Sequence, residues 1–350
     1  MRFSSDQLVS FCAALFRAAD VPARHAETTA RRLVEADQRG RTGHGLIRAA
    51  PYLQRLRAGG IDPRAEPAVR RETPVSAQVD GANGLGQVAM TLATEVAVAK
   101  AAANGVAVVG TVNSNHAGAA GLYPAMVAGH GLVGLYLAVA NANGMPPWGG
   151  TTPLLGPNPL AIAIPTEWGP PFVLDIATTA ASHGTIKVAR QAGTPLPPGW
   201  VVDADGQPIT DPDRADDGFL VPIGGYKGSG LTIAIGLLAG VLGGAAFAHE
   251  VLDHRLDPRT PTNTGQLLIA FRADLFRPMG DVLAELTRHL ELLRSSGSRD
   301  GSPLRLPGDE AARQVAESAR AGVDVPTAVL DALNTEAERA GIPPLGKDEK

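Results

Sequence analysis

The chain has 350 residues, 44% hydrophobic and 19% charged, which excludes a disordered chain and leaves room for about two domains. A net charge of −4 and only 4% aromatic residues argue against a general binder of nucleic acid or anionic membrane. The single cysteine, Cys12, excludes an internal disulfide framework and a cysteine zinc site, and it fits a reducing, cytoplasmic compartment.

In chain order, Ser5 is expected to cap a helix over 6–18, and Pro22 to open a second over 23–38. A third is expected over 46–58, with Pro51 delaying its start or kinking it and Gly59-Gly60 stopping it. A strand follows over 75–79, a helix over 87–103 and a buried strand over 106–112. A helix is expected over 117–129, then strands over 132–140, 159–165 and 172–176. Later helices are expected over 183–192, 227–245, 281–294, 309–321 and 326–340, with a strand over 265–272. The segment 193–217 reads as a long loop and 295–303 as a connector. The class is α/β or mixed α+β, with helices at both chain ends and strands between.

The run from Gly228 to Ala248 has no charge and is long enough to span a bilayer. Gly236, Gly240 and Gly244 also suit a buried helix with a close-packing face. The run stands alone and lacks a flanking aromatic belt, so the buried reading is preferred and no membrane partner is expected.

Several segments combine turn signals with reactive side chains. In a continuous helix, His44, Arg48 and Tyr52 fall one turn apart on one face. Imidazole moves protons near neutral pH and guanidinium grips carboxylates, so the trio suits a small carboxylic acid with a reacting carbonyl. The same spacing also suits an ordinary solvated helix face. His116 through Gly121 joins a strand to a helix, where small residues and free N–H groups admit a ligand or merely pack. Asp175 at a strand end suits a ribose hydroxyl or a helix cap. Lys227, between glycines at a helix start, suits a phosphate or carboxylate. The Pro307-Gly308-Asp309 turn suits an anion or a simple connection. No Gly-x-Gly-x-x-Gly, Walker loop, His-Glu-x-x-His or Gly-x-Ser-x-Gly occurs.

Taken together, Gly40–Tyr52, Ser114–Tyr123, Trp148–Pro165, Asp175–Gly184 and Gly225–Leu231 resemble the malate/L-lactate dehydrogenase family of NAD(P)-dependent oxidoreductases. That family includes malate, sulfolactate and ureidoglycolate dehydrogenases, diketogulonate reductase, and reductases of piperideine- and pyrroline-2-carboxylate. The resemblance implies a non-Rossmann dinucleotide-binding domain with a largely antiparallel sheet over 76–274. It also implies a helical, substrate and dimerisation domain from 1–75 with 275–350, and a homodimer. The implied activity is hydride transfer between NAD or NADP and a small 2-oxo or 2-hydroxy carboxylic acid. Protonated His44 is the implied proton donor and Arg48 the carboxylate clamp, with His116 as acid/base in some members. Arg48, Tyr52 and His183 are the candidate substrate contacts. His116, Ala117, Gly118, Ala119, Ala120, Asp175, Ile176, Ala177, Lys227, Pro307, Gly308 and Asp309 are the candidate cofactor contacts. No metal is expected.

Two departures stand out. Gly43 replaces the serine usual before the first histidine, and Thr185 stands where the imine reductases have an aspartate. Both missing groups would support the proton donor, so their loss tilts against the cyclic-imine reading. A non-catalytic dinucleotide-binding homologue is the third reading.

Overall fold

The computed structural model describes residues 1–346 except Trp168, and not the side chains of His183 and Gln191. A two-residue strand, β1 (Arg2–Phe3), leads into α1 (Ser5–Ala18) and α2 (Ala23–Gln38). Ser4 rather than Ser5 caps α1: its hydroxyl accepts the Gln7 N–H, and the Gln7 side chain accepts the Ser4 N–H. The expected single helix over 46–58 is broken. One 3₁₀ turn covers Thr42–His44, a second covers Leu46–Arg48, and α3 is confined to Ala49–Ala58. Pro51 then falls in the first turn of α3, where its missing N–H costs nothing. Gly59 ends α3 in the left-handed region, φ 88°.

The strands β2 (Ala68–Thr73) and β3 (Ser76–Asp80) form a hairpin, and α4 (Gly86–Asn104) crosses to β4 (Val106–Ser114). Next come α5 (Leu122–Ala128), β5 (Leu132–Ala138), β6 (Leu160–Ile164) and β7 (Phe172–Ile176). After α6 (His183–Ala192), the segment expected as a long loop contains β8 (Val201–Val202), which pairs with β9 (Phe219–Leu220). The remaining elements are α7 (Tyr226–Ala239), β10 (Thr264–Arg272), α8 (Met279–Arg294), α9 (Asp309–Ala321), β11 (Val323–Asp324) and α10 (Thr327–Ala340).

The main sheet runs β2-β3-β4-β10-β5-β6-β7. Only β3 and β4 are parallel, as their helical crossover requires; every other neighbouring pair is antiparallel. This is the mixed, largely antiparallel sheet expected above. Period-two alternation sends Val109, Tyr136 and Leu268 to the face covered by α4 and α5. It sends Leu135, Leu137 and Leu267 to the face covered by α7. Small residues at four-residue spacing on α4, Ala89, Ala93, Ala97 and Ala101, are fully buried and let the helix lie close on the sheet. A separate helical core gathers Leu8, Phe16 and Leu33 with Leu53, Leu330 and Leu333, so both chain ends share one interior.

The uncharged run forms a 14-residue helix with a 3₁₀ extension, Val241–Gly243. Counted with that extension, Tyr226–Gly243 has 18 residues and is long and apolar enough to cross a membrane by length and composition alone. Gly236 lies against Phe247, and Ile235 and Ala239 pack into the sheet core. One side of the run packs into the protein, while Leu237, Leu238, Val241 and Leu242 are exposed.

Gly86 begins α4 against the carbonyl oxygens of Asn115 and His116, with no space for a Cβ. Gly86→Ala should destabilise the fold by about 1–3 kcal/mol, the usual cost of overpacking. A urea midpoint equal to wild type would contradict this contact.

Candidate active site

Three remote segments converge here: the 42–55 stretch, the loop 115–121 and the loop 253–262. The first is shaped by Asp37 at the end of α2. Its carboxylate accepts the Leu46 N–H at 2.8 Å and fills the space beside Gly45, so any other residue at 45 would collide with it. Gly45 therefore breaks the helix that His44, Arg48 and Tyr52 would otherwise share. The three are still brought to one place, through the loops and not through one helix face. Burial, partly offset by the Leu46 hydrogen bond, pushes the Asp37 carboxyl up to about 7.

The loop 115–121 is not the start of a helix as expected; α5 begins only at Leu122. Gly118 takes φ +85°, and the buried Tyr123 hydroxyl donates to the Ala117 carbonyl. Ala117, Ala119 and Ala120 are buried. Asn115 pins the loop by donating to the Asn83 side chain at 3.0 Å and the Gly84 carbonyl at 2.9 Å. The glycines at 81, 84 and 86 thus serve close packing under the site.

His116 lies at the centre. Its ring stacks on His44 at 5.4 Å between centroids, with the planes 16° apart. A third imidazole, His254, meets it nearly at right angles at 5.6 Å. The Gly118 N–H donates to His116 Nδ1 at 3.3 Å, and the Tyr52 hydroxyl lies 2.5 Å from the same nitrogen. A backbone N–H can only donate, so Nδ1 is the acceptor and the neutral ring carries its proton on Nε2. Tyr52 donates to Nδ1 and accepts from the Gln87 side chain at 3.1 Å. Burial pushes the Tyr52 phenol up to about 12.

His44 differs. Its Nδ1 is buried without a hydrogen-bond partner among the described residues. Gly43 leaves open space beside it, and the Thr185 hydroxyl is engaged with Ser182 at 2.9 Å. Burial, followed by Arg48 and Arg41, lowers His44 to about 4. Burial and then Arg48 also hold His116 well below the ordinary value and bring His254 to about 4. Burial and the neighbouring guanidiniums thus favour the neutral ring of His44. Arg48 donates from Nε to the Gly43 carbonyl at 2.7 Å and has no carboxylate partner among the described residues.

Arg55 was not singled out from sequence. It is 3% exposed and makes no salt bridge among the described residues, with the Asp257 carboxylate acting on it only at longer range. Its guanidinium donates to the carbonyls of Asp257 (2.7 Å), Thr260 (2.9 Å) and Gly60 (3.0 Å), and reaches Asn115 Oδ1 at 3.4 Å. It therefore ties α3 to both loops. Arg55, Gln87 and His254 carry no local pattern that marks them; their partners come from elsewhere in the chain.

The candidate cofactor residues form a connected track. Asp175 accepts the Gly121 N–H at 3.1 Å and faces Arg41 at 3.5 Å. It thus caps the turn before α5 and not the helix that follows it in sequence. Burial pushes its carboxyl up. Two residues earlier on β7, the Val173 N–H donates to the Pro307 carbonyl at 3.3 Å. Gly308, φ +99°, fits against Val173 only because it lacks a Cβ. Pro307, Gly308 and Asp309 line a cavity of about 430 Å³ with Pro170, Pro171 and Phe172. Arg294 pairs with Asp309 there at 2.5 Å. Beyond Asp175, Ile176 and Ala177, the Ile223 N–H donates to the Thr178 carbonyl at 2.9 Å, which sets the start of α7 alongside. Lys227 in its first turn is exposed and without an ion-pair partner among the described residues. The cavity thus sits at the Phe172 end of β7, and Asp175, near its other end, reaches the loop beside His116. His183 begins α6; its side chain lies outside the described residues.

Comparison with known proteins bears on this site. A family profile described as malate/L-lactate dehydrogenase matches residues 3–334. L-sulfolactate dehydrogenase of Methanocaldococcus jannaschii is 35% identical over 83% of each chain. A Delta(1)-pyrroline-2-carboxylate/Delta(1)-piperideine-2-carboxylate reductase of Pseudomonas putida is 35% identical over 95% of this chain and 96% of its own. The solved structure of sulfolactate dehydrogenase from Methanocaldococcus jannaschii superposes with a TM-score of 0.90 at 31% identity, covering 98% of both chains.

The Asp37 carboxyl makes a signed prediction. Its pKa is raised in the fold, so the folded state holds a proton that the unfolded chain releases between about pH 4 and 7. Its contribution to stability is then lost as pH rises through that window. Asp37→Asn keeps an acceptor for Leu46 and removes the charge, so its Tm relative to wild type should be higher at pH 8 than at pH 5. An equal difference at both pH values would count against a strained carboxylate.

Proposed function

Because the chain belongs to the malate/L-lactate dehydrogenase family, we propose that it transfers a hydride between NAD or NADP and a small 2-oxo or 2-hydroxy carboxylic acid at the His44–Arg48–His116 cluster. One observation carries the assignment of residues: an unpaired guanidinium, Arg48, acts on neutral imidazoles, one of which has a fixed tautomer.

When bound, the reduced nicotinamide supplies the hydride that reaches the substrate's second carbon. The residues Asp175–Ala177, Lys227, Pro307–Asp309 and the 116–120 loop would hold the dinucleotide. Arg48 grips the substrate carboxylate through its free edge, because Nε is already committed to Gly43. His116 presents its Nε2–H to the 2-oxygen, where negative charge develops. As that proton leaves, Nδ1 takes the Tyr52 proton, and the Tyr52 oxygen, held by Gln87, is reprotonated from solvent in the same turnover, because burial disfavours a lasting phenolate. In the oxidative direction the same protons run backwards.

His116 is preferred to His44 as donor because it has partners that define its proton. His44 supports it by stacking, with its own Nδ1 unsupported. The absent support at Gly43 and Thr185 also disfavours the cyclic imino acid as substrate.

Residues 1–75 with 275–350 are read as the helical part that brings substrate groups and self-association, and 76–274 as the cofactor part. A homodimer is supported by the exposed apolar residues Leu237, Leu238, Val241 and Leu242 at the end of α7. The buried, unreactive Cys12, pushed up to about 12 by burial, suits a cytoplasmic protein.

The test is consumption of NADH and NADPH, separately, against 2-oxo acids and the two cyclic imines. Turnover on a 2-oxo acid is expected. His116→Ala should lower kcat by about 10²–10⁴-fold with cofactor affinity kept. Tyr52→Phe, which removes the proton source for His116 Nδ1, should lower it by a comparable factor, about 10²-fold or more. A larger loss in His44→Ala than in His116→Ala would move the donor to His44. Turnover confined to the imines would overturn the substrate class.

A further inference from the structure

Gln87, in the first turn of α4, touches the proton path through Tyr52. It is fully buried, and its Nε2 donates to the Tyr52 oxygen at 3.1 Å. Its Oε1 is buried with no hydrogen-bond partner among the described residues. An unpaired interior acceptor is costly. Turning the amide over would give Oε1 the Tyr52 proton as a partner, so the observed orientation needs a reason.

The reason runs inward from the backbone. The Gly118 N–H can only donate, and it donates to His116 Nδ1 at 3.3 Å. Nδ1 therefore accepts, so the Tyr52 hydroxyl, 2.5 Å away, must direct its one proton at Nδ1. The Tyr52 oxygen then has only lone pairs left for Gln87, and only the NH2 end of the amide can meet them. With the amide reversed, Tyr52 would give its proton to Oε1, and two acceptors would face each other across 2.5 Å. The backbone also holds Gln87 in place. Gly86 before it is seated against the carbonyl oxygens of Asn115 and His116, which registers the start of α4 on the loop that carries His116. A Cβ at Gly118 would lie 3.5 Å from Gln87 Nε2, so that loop closes over the amide.

Resting on the function proposed above, we infer that Gln87 is a positioning residue: its amide N–H turns the Tyr52 proton toward His116 Nδ1 and so keeps the transferable proton of His116 on Nε2. The ionisable groups around Tyr52 and His116 are Arg48, His44 and His254, with the buried phenols of Tyr123 and Tyr136 beyond. None of them hydrogen-bonds to the Gly118–His116–Tyr52–Gln87 chain among the described residues. A replacement at 87 therefore acts on the direction of one proton.

The test combines nitrogen-15 and proton NMR with turnover. In wild type, proton contacts should place the Gln87 NH2 against the Tyr52 ring, with the His116 proton on Nε2. Gln87→Met keeps the length of the side chain and removes the donor. Its kcat on a 2-oxo acid should fall about 3- to 10-fold with KM within about twofold, and part of His116 should carry its proton on Nδ1. Gln87→Glu donates while its carboxyl is protonated and only accepts once ionised. As pH rises through that titration, the His116 proton should pass from Nε2 to Nδ1, and kcat should drop about 10²-fold below wild type at the same pH. A His116 proton that stays on Nε2 in both variants would overturn the inference, as would a Gln87→Met kcat equal to wild type. If neither variant folds, the wild-type contact decides: a Gln87 NH2 directed away from Tyr52 overturns the inference. Wild-type silence on every 2-oxo acid, with that contact intact, would instead overturn the function beneath it.

Discussion

A buried guanidinium with no salt bridge among the described residues organises this molecule. Arg55 is surrounded by carbonyl oxygens from Gly60, Asp257 and Thr260, with the Asn115 amide at its edge. An isolated buried cation is costly, and only a full set of acceptors makes it tolerable. Those acceptors lie as much as 205 residues from Arg55 in the chain, so the cation is satisfied only when α3, the 115–121 loop and the 253–262 loop are all in place. The same three segments deliver Tyr52, His116 and His254. The active cluster is thus coupled to the folding of its frame.

Within that frame, burial acts first and Arg48 second to keep His44, His116 and His254 uncharged. The combination has a consequence for ligands. An anion that pairs with Arg48 cancels the field that disfavours imidazolium, so anionic substrates and proton availability are linked at one residue. The fixed acceptor role of His116 Nδ1 gives the ring one outward proton, as an acid directed at a carbonyl oxygen requires.

Much of the frame was legible because it is local. Prolines at 22 and 326, glycines at 59, 105 and 308, and the apolar stretch 106–112, which the fold extends as a strand to Ser114, mark their own places. The exceptions are where distant groups intervene. Alanine and glycine over 117–121 read as a helix start, yet Tyr123 and Gly118 hold that stretch as a loop. The four-residue spacing of His44, Arg48 and Tyr52 read as a helix face, yet Asp37 occupies the space that Gly45 leaves and two 3₁₀ turns result. The candidate residues themselves came largely from motif resemblance. Arg55, Gln87 and His254 had no motif, and only the folded chain brings them to the site.

The central claim is that three imidazoles share one neutral, tautomer-defined cluster beside an unpaired arginine. Nitrogen-15 NMR of the eight histidines, followed through a pH titration, tests it most directly. His44 and His254 are expected to titrate near about 4, and His116 to titrate below the ordinary range with its proton on Nε2. Titration of all three near the ordinary value of about 6.5, or a proton on His116 Nδ1, would contradict it.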